Sequence, residues 1–255
     1  VKALIREANK LSGELGMRGA RYGRYANELL GVVLSMQRIK RLLCRDDDRH
    51  IGWFFLDDFA SWFGQKEEQI ADILAIAPCL LDGKPVLRLA VTEAKFVSAE
   101  GHQKHKKSSA RQLSETIERM SRALDPNRAR IDRDVWLNRI GDLMIEAMEP
   151  FDDQPINDWN LQQWSERVRD DAVPIELVGC SHVFVHDETA SVNAGDPVPL
   201  RGLEHCWQRV IDRAGVREDI RAFIDAGSAP DTPDKREAWS EALVSRSNAG
   251  IPGTR

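Results

Sequence analysis

The chain has 255 residues, 42% of them hydrophobic and 30% charged, with a formal net charge of −5 at neutral pH. That is the composition of a globular protein large enough to bury a sizeable core. No apolar run approaches the roughly 18 residues of a membrane span, and no signal-peptide pattern opens the chain. The four cysteines, Cys44, Cys79, Cys180 and Cys206, are dispersed and form no Cys-x-x-Cys pair. A disulfide framework is therefore excluded in favour of reduced thiols, and a cytoplasmic location is expected.

The charge is unevenly spread. Residues 1–49 hold eleven Lys/Arg against six Asp/Glu, residues 101–133 hold nine against four, and the remainder is strongly acidic. Two basic segments flanking an acidic-lined centre suit a phosphate backbone bound together with metal ions, although either segment alone reads equally well as a solvated helix face.

In chain order, residues 1–12 carry helical spacing at Leu4, Ile5, Ala8 and Leu11. The glycine-punctuated stretch 13–26 matches no nucleotide-binding fingerprint, and its Arg18, Arg21 and Arg24 read as phosphate contacts or as solvent-facing groups. Leu29, Leu30, Val33, Met36, Ile39 and Leu43 predict a helix over about 25–43. Glu28 stands at its start, with Gly31 and Ser35 above it. Small residues there would let the helix approach a sheet and carry the Glu28 carboxylate to the strands; the plain alternative is an acid favouring the positive helix N-terminus. After the exposed Asp46–Asp48 run, IGWFFL over 51–56 predicts a buried strand, closed by Asp57 and Asp58 in a turn, with Phe59, Trp62 and Phe63 as core.

Residues 69–97 predict a hairpin with Asp82-Gly83 at its turn. Its strands are apolar except for Asp72 in the first and Glu93 and Lys95 in the second. An acid-x-Lys triplet is weak by itself, since about one or two are expected by chance and the turn holds a second copy at Asp82 and Lys84. The strand copy carries weight because its flanks are apolar, and a desolvated charge needs a partner or a metal. Side-chain alternation puts Asp72 on a face with Leu74 and Ile76, and Glu93 and Lys95 on a face with Leu89 and Val91.

A basic loop follows, with Lys104, Lys106 and Lys107, then a helix over about 108–124 that carries Arg111 and Gln112 in its first turn. Further helices are predicted over 131–149 and 161–170, and a strand pair over 174–187. Cys180, His182, His186 and Asp187 read as structural, because two histidines four apart on a strand do not converge on a zinc ion. Helical segments at 204–213 and 218–226 precede a Ser, Pro, Asp and Gly-rich tail from 227. A chain that begins at Val1 and ends in such a tail is expected to be an excerpt of a longer protein.

The order of helix with Glu28, strand, strand with Asp72, strand with Glu93-Ala94-Lys95, helix with Gln112, then strand resembles the PD-(D/E)xK nuclease superfamily over about residues 15–187. The resemblance implies an α/β fold with a restriction-endonuclease-like α-β-β-β-α-β core on a mixed sheet. The expected domain spans 1–190 with a helical insertion at about 131–170, followed by a C-terminal helical extension over 191–226 and a flexible tail or linker over 227–255. One departure is Ala71, where the family often has proline before the acid.

The resemblance further implies a metal-dependent deoxyribonuclease with Asp72, Glu93, Lys95, Glu28 and Gln112 as catalytic residues. Asp72, Glu93 and Glu28 would hold Mg²⁺ or Mn²⁺, hard ions that take carboxylate oxygens and activate water. Lys95 would orient or deprotonate the attacking water and stabilise the phosphate. Lys104, Lys106, Lys107 and Arg111 would hold the DNA backbone without reading sequence. The expected setting is a bacterial restriction, phage-defence or repair protein, with an ATP-driven DNA translocase or helicase as partner; a homo-oligomer is compatible with it. The alternative from another class is a catalytically inactive nuclease-like module retained for DNA binding or assembly.

Overall fold

The structure, a computed structural model, describes residues 25–43, 50–63, 70–127, 130–148, 150–151, 156–187 and 195–226. The predicted helix over 1–12, Arg18, Arg21, Arg24, the Asp46–Asp48 loop and the 227–255 tail lie outside those residues.

Six strands form one mixed sheet: β1 (Gly52–Phe55), β2 (Ile73–Leu81), β3 (Lys84–Val97), β4 (Ile175–Val185), β5 (Val198–Pro199) and β6 (Cys206–Ile211). Their spatial order is β1-β2-β3-β4-β6-β5. The first three run antiparallel to one another, β4 lies parallel to β3, β6 parallel to β4, and β5 returns antiparallel on β6. Six helices accompany them: α1 (Tyr25–Leu43), α2 (Ala60–Phe63), α3 (His102–Leu124), α4 (Arg130–Ala147), α5 (Leu161–Arg169) and α6 (Arg213–Ala226). None of the described helices is long and apolar enough to cross a membrane. Cys79, Cys180 and Cys206 are free thiols.

The β2–β3 hairpin follows from its sequence. Asp82 and Gly83 both take positive φ, 50° and 75°, as a tight turn matched to strand twist requires. Alternation then divides β3 between two layers. Leu87, Leu89 and Val91 join Leu74 and Ile76 in a core completed by Leu113, Ile117 and Met120 of α3 and by Leu137, Ile140 and Met144 of α4. On the other face Ala94 and Ile73 pack against Val32 and Met36 of α1. Each fully buried Leu or Ile contributes about 1.5–3 kcal/mol, so the alternation sets the register firmly. Gly31 lets α1 sit close, since a Cβ there would come within 3.3 Å of the Phe96 Cβ.

Four expectations change. Asp72 is not in a strand; it occupies a bend one residue before β2. The helix after β3 begins at His102, so the lysine-rich stretch is its first two turns and not a loop, and Gln112 falls in the third turn. Lys and Gln are good helix formers, and the polar first turns hid a buried face that begins only at Ser109. The strand pair over 174–187 is a single eleven-residue strand. Its Gly179 is a packing glycine, since a Cβ there would meet the Cys206 Sγ at 2.8 Å and Ile117 at 3.1 Å. The segment 204–213 contains a strand, in which buried Cys206, Gln208 and Val210 alternate with half-buried Trp207 and Arg209. Polar Gln208 on the inner face masked that period of two. The region 191–226 therefore adds two strands to the sheet as well as α6.

Candidate functional site

Asp72 and Glu93 come together where the β2–β3 ladder ends. Ile73 pairs with Thr92, so the next step would set Asp72 against Glu93. The chain bends there, and the Asp72 side chain takes over the ladder: its Oδ2 accepts the Ala94 backbone N–H at 2.7 Å. The Asp72 backbone carbonyl accepts from Leu56 N at 3.0 Å, which brings the turn of Asp57 alongside. Asp72 is thus half-buried, with its carboxyl turned inward and one oxygen committed.

Glu93 is fully buried, and neither carboxylate oxygen has a hydrogen bond of ordinary geometry. Lys95 Nζ stands 2.5 Å from Glu93 Oε1, in close ionic contact but off hydrogen-bonding directions. Burial raises the Glu93 pKa well above the usual carboxylate range; the Asp72 charge adds to the rise, Lys95 opposes it, and Asp57 adds a smaller part. Burial also raises Asp72, against the pull of Lys95 and of hydrogen bonding with Ala94 and Glu93. The two carboxyls lie within hydrogen-bonding reach of one another, a contact that requires one of them to carry a proton. Burial alone would lower the Lys95 pKa, but Glu93 and Asp72 outweigh it and raise the value, leaving the side chain a firm ammonium.

The helix α3 roofs this face. Ser109 Oγ lies 2.5 Å from Ser181 Oγ, and Ser181 is the register partner of Glu93 on β4. Gln208 Nε2 donates to Ser181 Oγ at 2.9 Å and to the Lys106 carbonyl at 2.8 Å, tying α3, β4 and β6 together. One turn before Ser109 stands half-buried His105, whose pKa is lowered by desolvation and then by the charges of Lys95 and Lys104. Seven residues past Ser109, Thr116 Oγ1 accepts from Ala71 N at 3.0 Å. Gln112 is buried between those two anchors, with Ser108 Oγ donating to its Oε1 at 3.5 Å. It lies over the Asp72–Glu93 pair as its chain position suggested, though two turns deeper in the helix.

Glu28 does not join the pair. It is exposed in the first turn of α1, on the helix that packs against the opposite face, and is the smallest of the charges raising Lys95. Among the described residues no three His, Cys, Asp or Glu side chains converge to hold a metal ion, so the expected three-carboxylate set is not assembled. Lys104, Lys107 and Arg111 are exposed and Lys106 half-buried, all along the start of α3; Arg111 Nε lies 3.9 Å from Glu115. His182 and His186 part company, as expected. His182 is buried with its Nδ1 3.1 Å from Ser35 Oγ, while His186 lies 3.0 Å from Asp187. His105, Ser109, Ser181, Gln208 and Asp57 were not legible as neighbours of the pair, because their separations in the chain follow no motif.

Comparison with family models, with curated proteins and with solved structures found no match to this chain, so the functional reading rests on its own geometry.

Proposed function

We propose that the chain is a metal-dependent endonuclease that hydrolyses DNA phosphodiester bonds, built on a restriction-endonuclease-like core. The observation that carries this reading is Glu93: a carboxylate with no exposure and no hydrogen bond, beside a second carboxylate with one open oxygen. Burying an unpaired charge is expensive, and a divalent cation between the two groups would offset the expense. Two carboxylates fit Mg²⁺ or Mn²⁺ better than a closed protein cage would, because Mg²⁺ retains several waters and takes substrate phosphate oxygens as further ligands. The strand order supports the same reading, with three antiparallel strands, a helical crossover, and a fourth strand parallel to the third.

Asp72 and Glu93 would hold the ion, Asp72 being oriented by the Ala94 N–H. When bound, the ion lowers the pKa of a bound water and polarises the phosphate. Lys95, kept charged by its carboxylate neighbours, stabilises negative charge building on the phosphate and does not act as a base. Gln112 and His105 hang over the pair from α3 and reach toward water or phosphate on that face. The exposed Lys104, Lys107 and Arg111 offer the backbone charge-assisted contacts. In this reading the chain is a module of a bacterial restriction or phage-defence system that works beside an ATP-driven DNA translocase.

The test is nicking of supercoiled plasmid with and without Mg²⁺. Asp72→Ala, Glu93→Ala and Lys95→Ala should each slow nicking by about 10²–10⁴-fold. Parent-like rates in all three would reject the assignment. Salt-sensitive DNA binding with no divalent-dependent cleavage by the parent would mean that the fold serves binding alone.

A further inference from the structure

A second feature lies away from Glu93, where the C-terminal half of α3 packs beside α4. A cleft of about 550 Å³ opens there, lined by Arg119, Arg122, Arg139, Asp132, Val135 and Trp136 among others. Three guanidiniums against one carboxylate select an anion. Beneath them lies an aromatic pair: Arg139 Cζ sits 4.8 Å from the centroid of the Trp62 ring, and Trp62 meets Trp136 edge-on with centroids 6.3 Å apart. A guanidinium stacked on an indole presents a flat cationic plate, the kind of surface on which a nucleobase stacks. Val135 is 45% exposed at the rim and adjoining Ile131 is 78% exposed, adding apolar surface that a simple phosphate site has no use for. Arg122 pairs with Glu118 at 3.4 Å, both well exposed, and such pairs hold weakly enough to exchange for a ligand.

The cleft is also in reach of the candidate site. Ser109 is level with Glu93 through Ser181, and Arg119 and Arg122 stand further along the same helix, about 15–20 Å away at 1.5 Å per residue. That distance spans about five nucleotides of a duplex strand at 3.4 Å each, and fewer of a stretched single strand.

We propose that the α3–α4 cleft is a second nucleic-acid contact that takes an unpaired nucleotide, base against the Arg139–Trp62 plate and phosphate against Arg119 and Arg122, from the strand whose scissile phosphate lies at Asp72 and Glu93. The part about the scissile phosphate rests on the nuclease reading; the cleft itself does not. The experiment is fluorescence anisotropy of labelled dT₂₀ in EDTA over a salt series, comparing the parent with an Arg122→Gln/Arg139→Gln double variant. Binding should weaken by about tenfold or more, and the slope of log affinity against log salt should flatten by about 1.4, the share of two phosphate contacts on a single strand. Mn²⁺-dependent hydrolysis of bis(p-nitrophenyl) phosphate, which has no strand to reach the cleft, should be unchanged in the variant. Equal affinity and slope in parent and variant overturn the proposal. So does an equal loss with a blunt 20-base-pair duplex, which offers no unpaired base, or displacement of dT₂₀ by polyglutamate at matched charge, which marks a generic anion patch. A parent that binds through the cleft but hydrolyses nothing overturns the nuclease reading and leaves the cleft standing.

Discussion

Glu93 concentrates the energetics of this protein in one side chain. Its carboxyl binds a proton more tightly in the folded chain than in the unfolded one, where the value is near 4.5. The folded state therefore binds more protons above that pH, and metal-free stability falls as pH rises from about 4.5 toward the raised folded value. Asp72, also raised, acts with the same sign. Glu93→Gln removes the charge at nearly constant shape. Its melting temperature without metal should exceed that of the parent by about 2–4 °C at pH 8, the effect of about 1 kcal/mol in a domain of this size, and the gap should shrink toward pH 4.5. Buried His182, whose pKa is held well below its usual value by desolvation first and then by Arg38 and Arg209, pulls stability the other way; it is common to both proteins and cancels. Thermal melts over pH check this, and a gap that stays constant or widens toward acid contradicts it. Mg²⁺ should raise the melting temperature of the parent and leave that of Glu93→Gln nearly unmoved, because the ion selects the ionised carboxylate.

Among the elements, α3 decides whether a site exists at all, because it brings Gln112, His105 and the lysines over the carboxylates. Its hold on the sheet is partly polar. Ser109, Ser181 and Gln208 are all buried, and Gln208 alone satisfies both the Ser181 hydroxyl and the Lys106 carbonyl. Gln208→Ala leaves those groups short of a donor and should cost about 1–3 kcal/mol, read from the urea midpoint. If α3 positions the site, Mg²⁺-dependent nicking should fall further than stability alone explains, and a Gln208→Ala protein that is destabilised but fully active would show that the tie serves only the fold. None of this was legible beforehand. The apolar spacing of Leu113, Ile117 and Met120 announced the helix, but a glutamine at 208 carries no sign of the serine it will meet. That glutamine also concealed β6, since a polar residue on an inner face erases the alternation by which a strand is recognised. The hairpin was readable for the opposite reason: Asp82-Gly83 and nine-residue apolar alternation are local signals, and local geometry honours them.

At the scale of the whole molecule, the acidic net charge and the basic face of α3 have separate places. Lys104, Lys107 and Arg111 lie exposed on one helix above the carboxylate pair, so a net charge of −5 does not oppose local attraction of a polyanion within a Debye length of about 8–10 Å. Lys104→Gln/Lys107→Gln should weaken DNA binding evenly across sequences and flatten its salt slope by about two, as titration over a salt series would show. A loss confined to particular sequences would instead assign these lysines to base reading.

The amino-acid sequence by itself determined the local units: the α1 amphipathic face, the β2–β3 hairpin with its turn, the acid-rich flank of β3, and the cost of charges placed there. Those follow from nearest-neighbour chemistry and periodicity, which are written in the chain. Only the tertiary structure decided which charges meet. It set Asp72 in a bend where its carboxyl caps the Ala94 N–H, left Glu93 without a hydrogen bond, kept Glu28 on the far helix, and brought Ser181 and Gln208 beside the pair. Those outcomes depend on how layers pack across separations of up to a hundred residues, and no residue spacing encodes them.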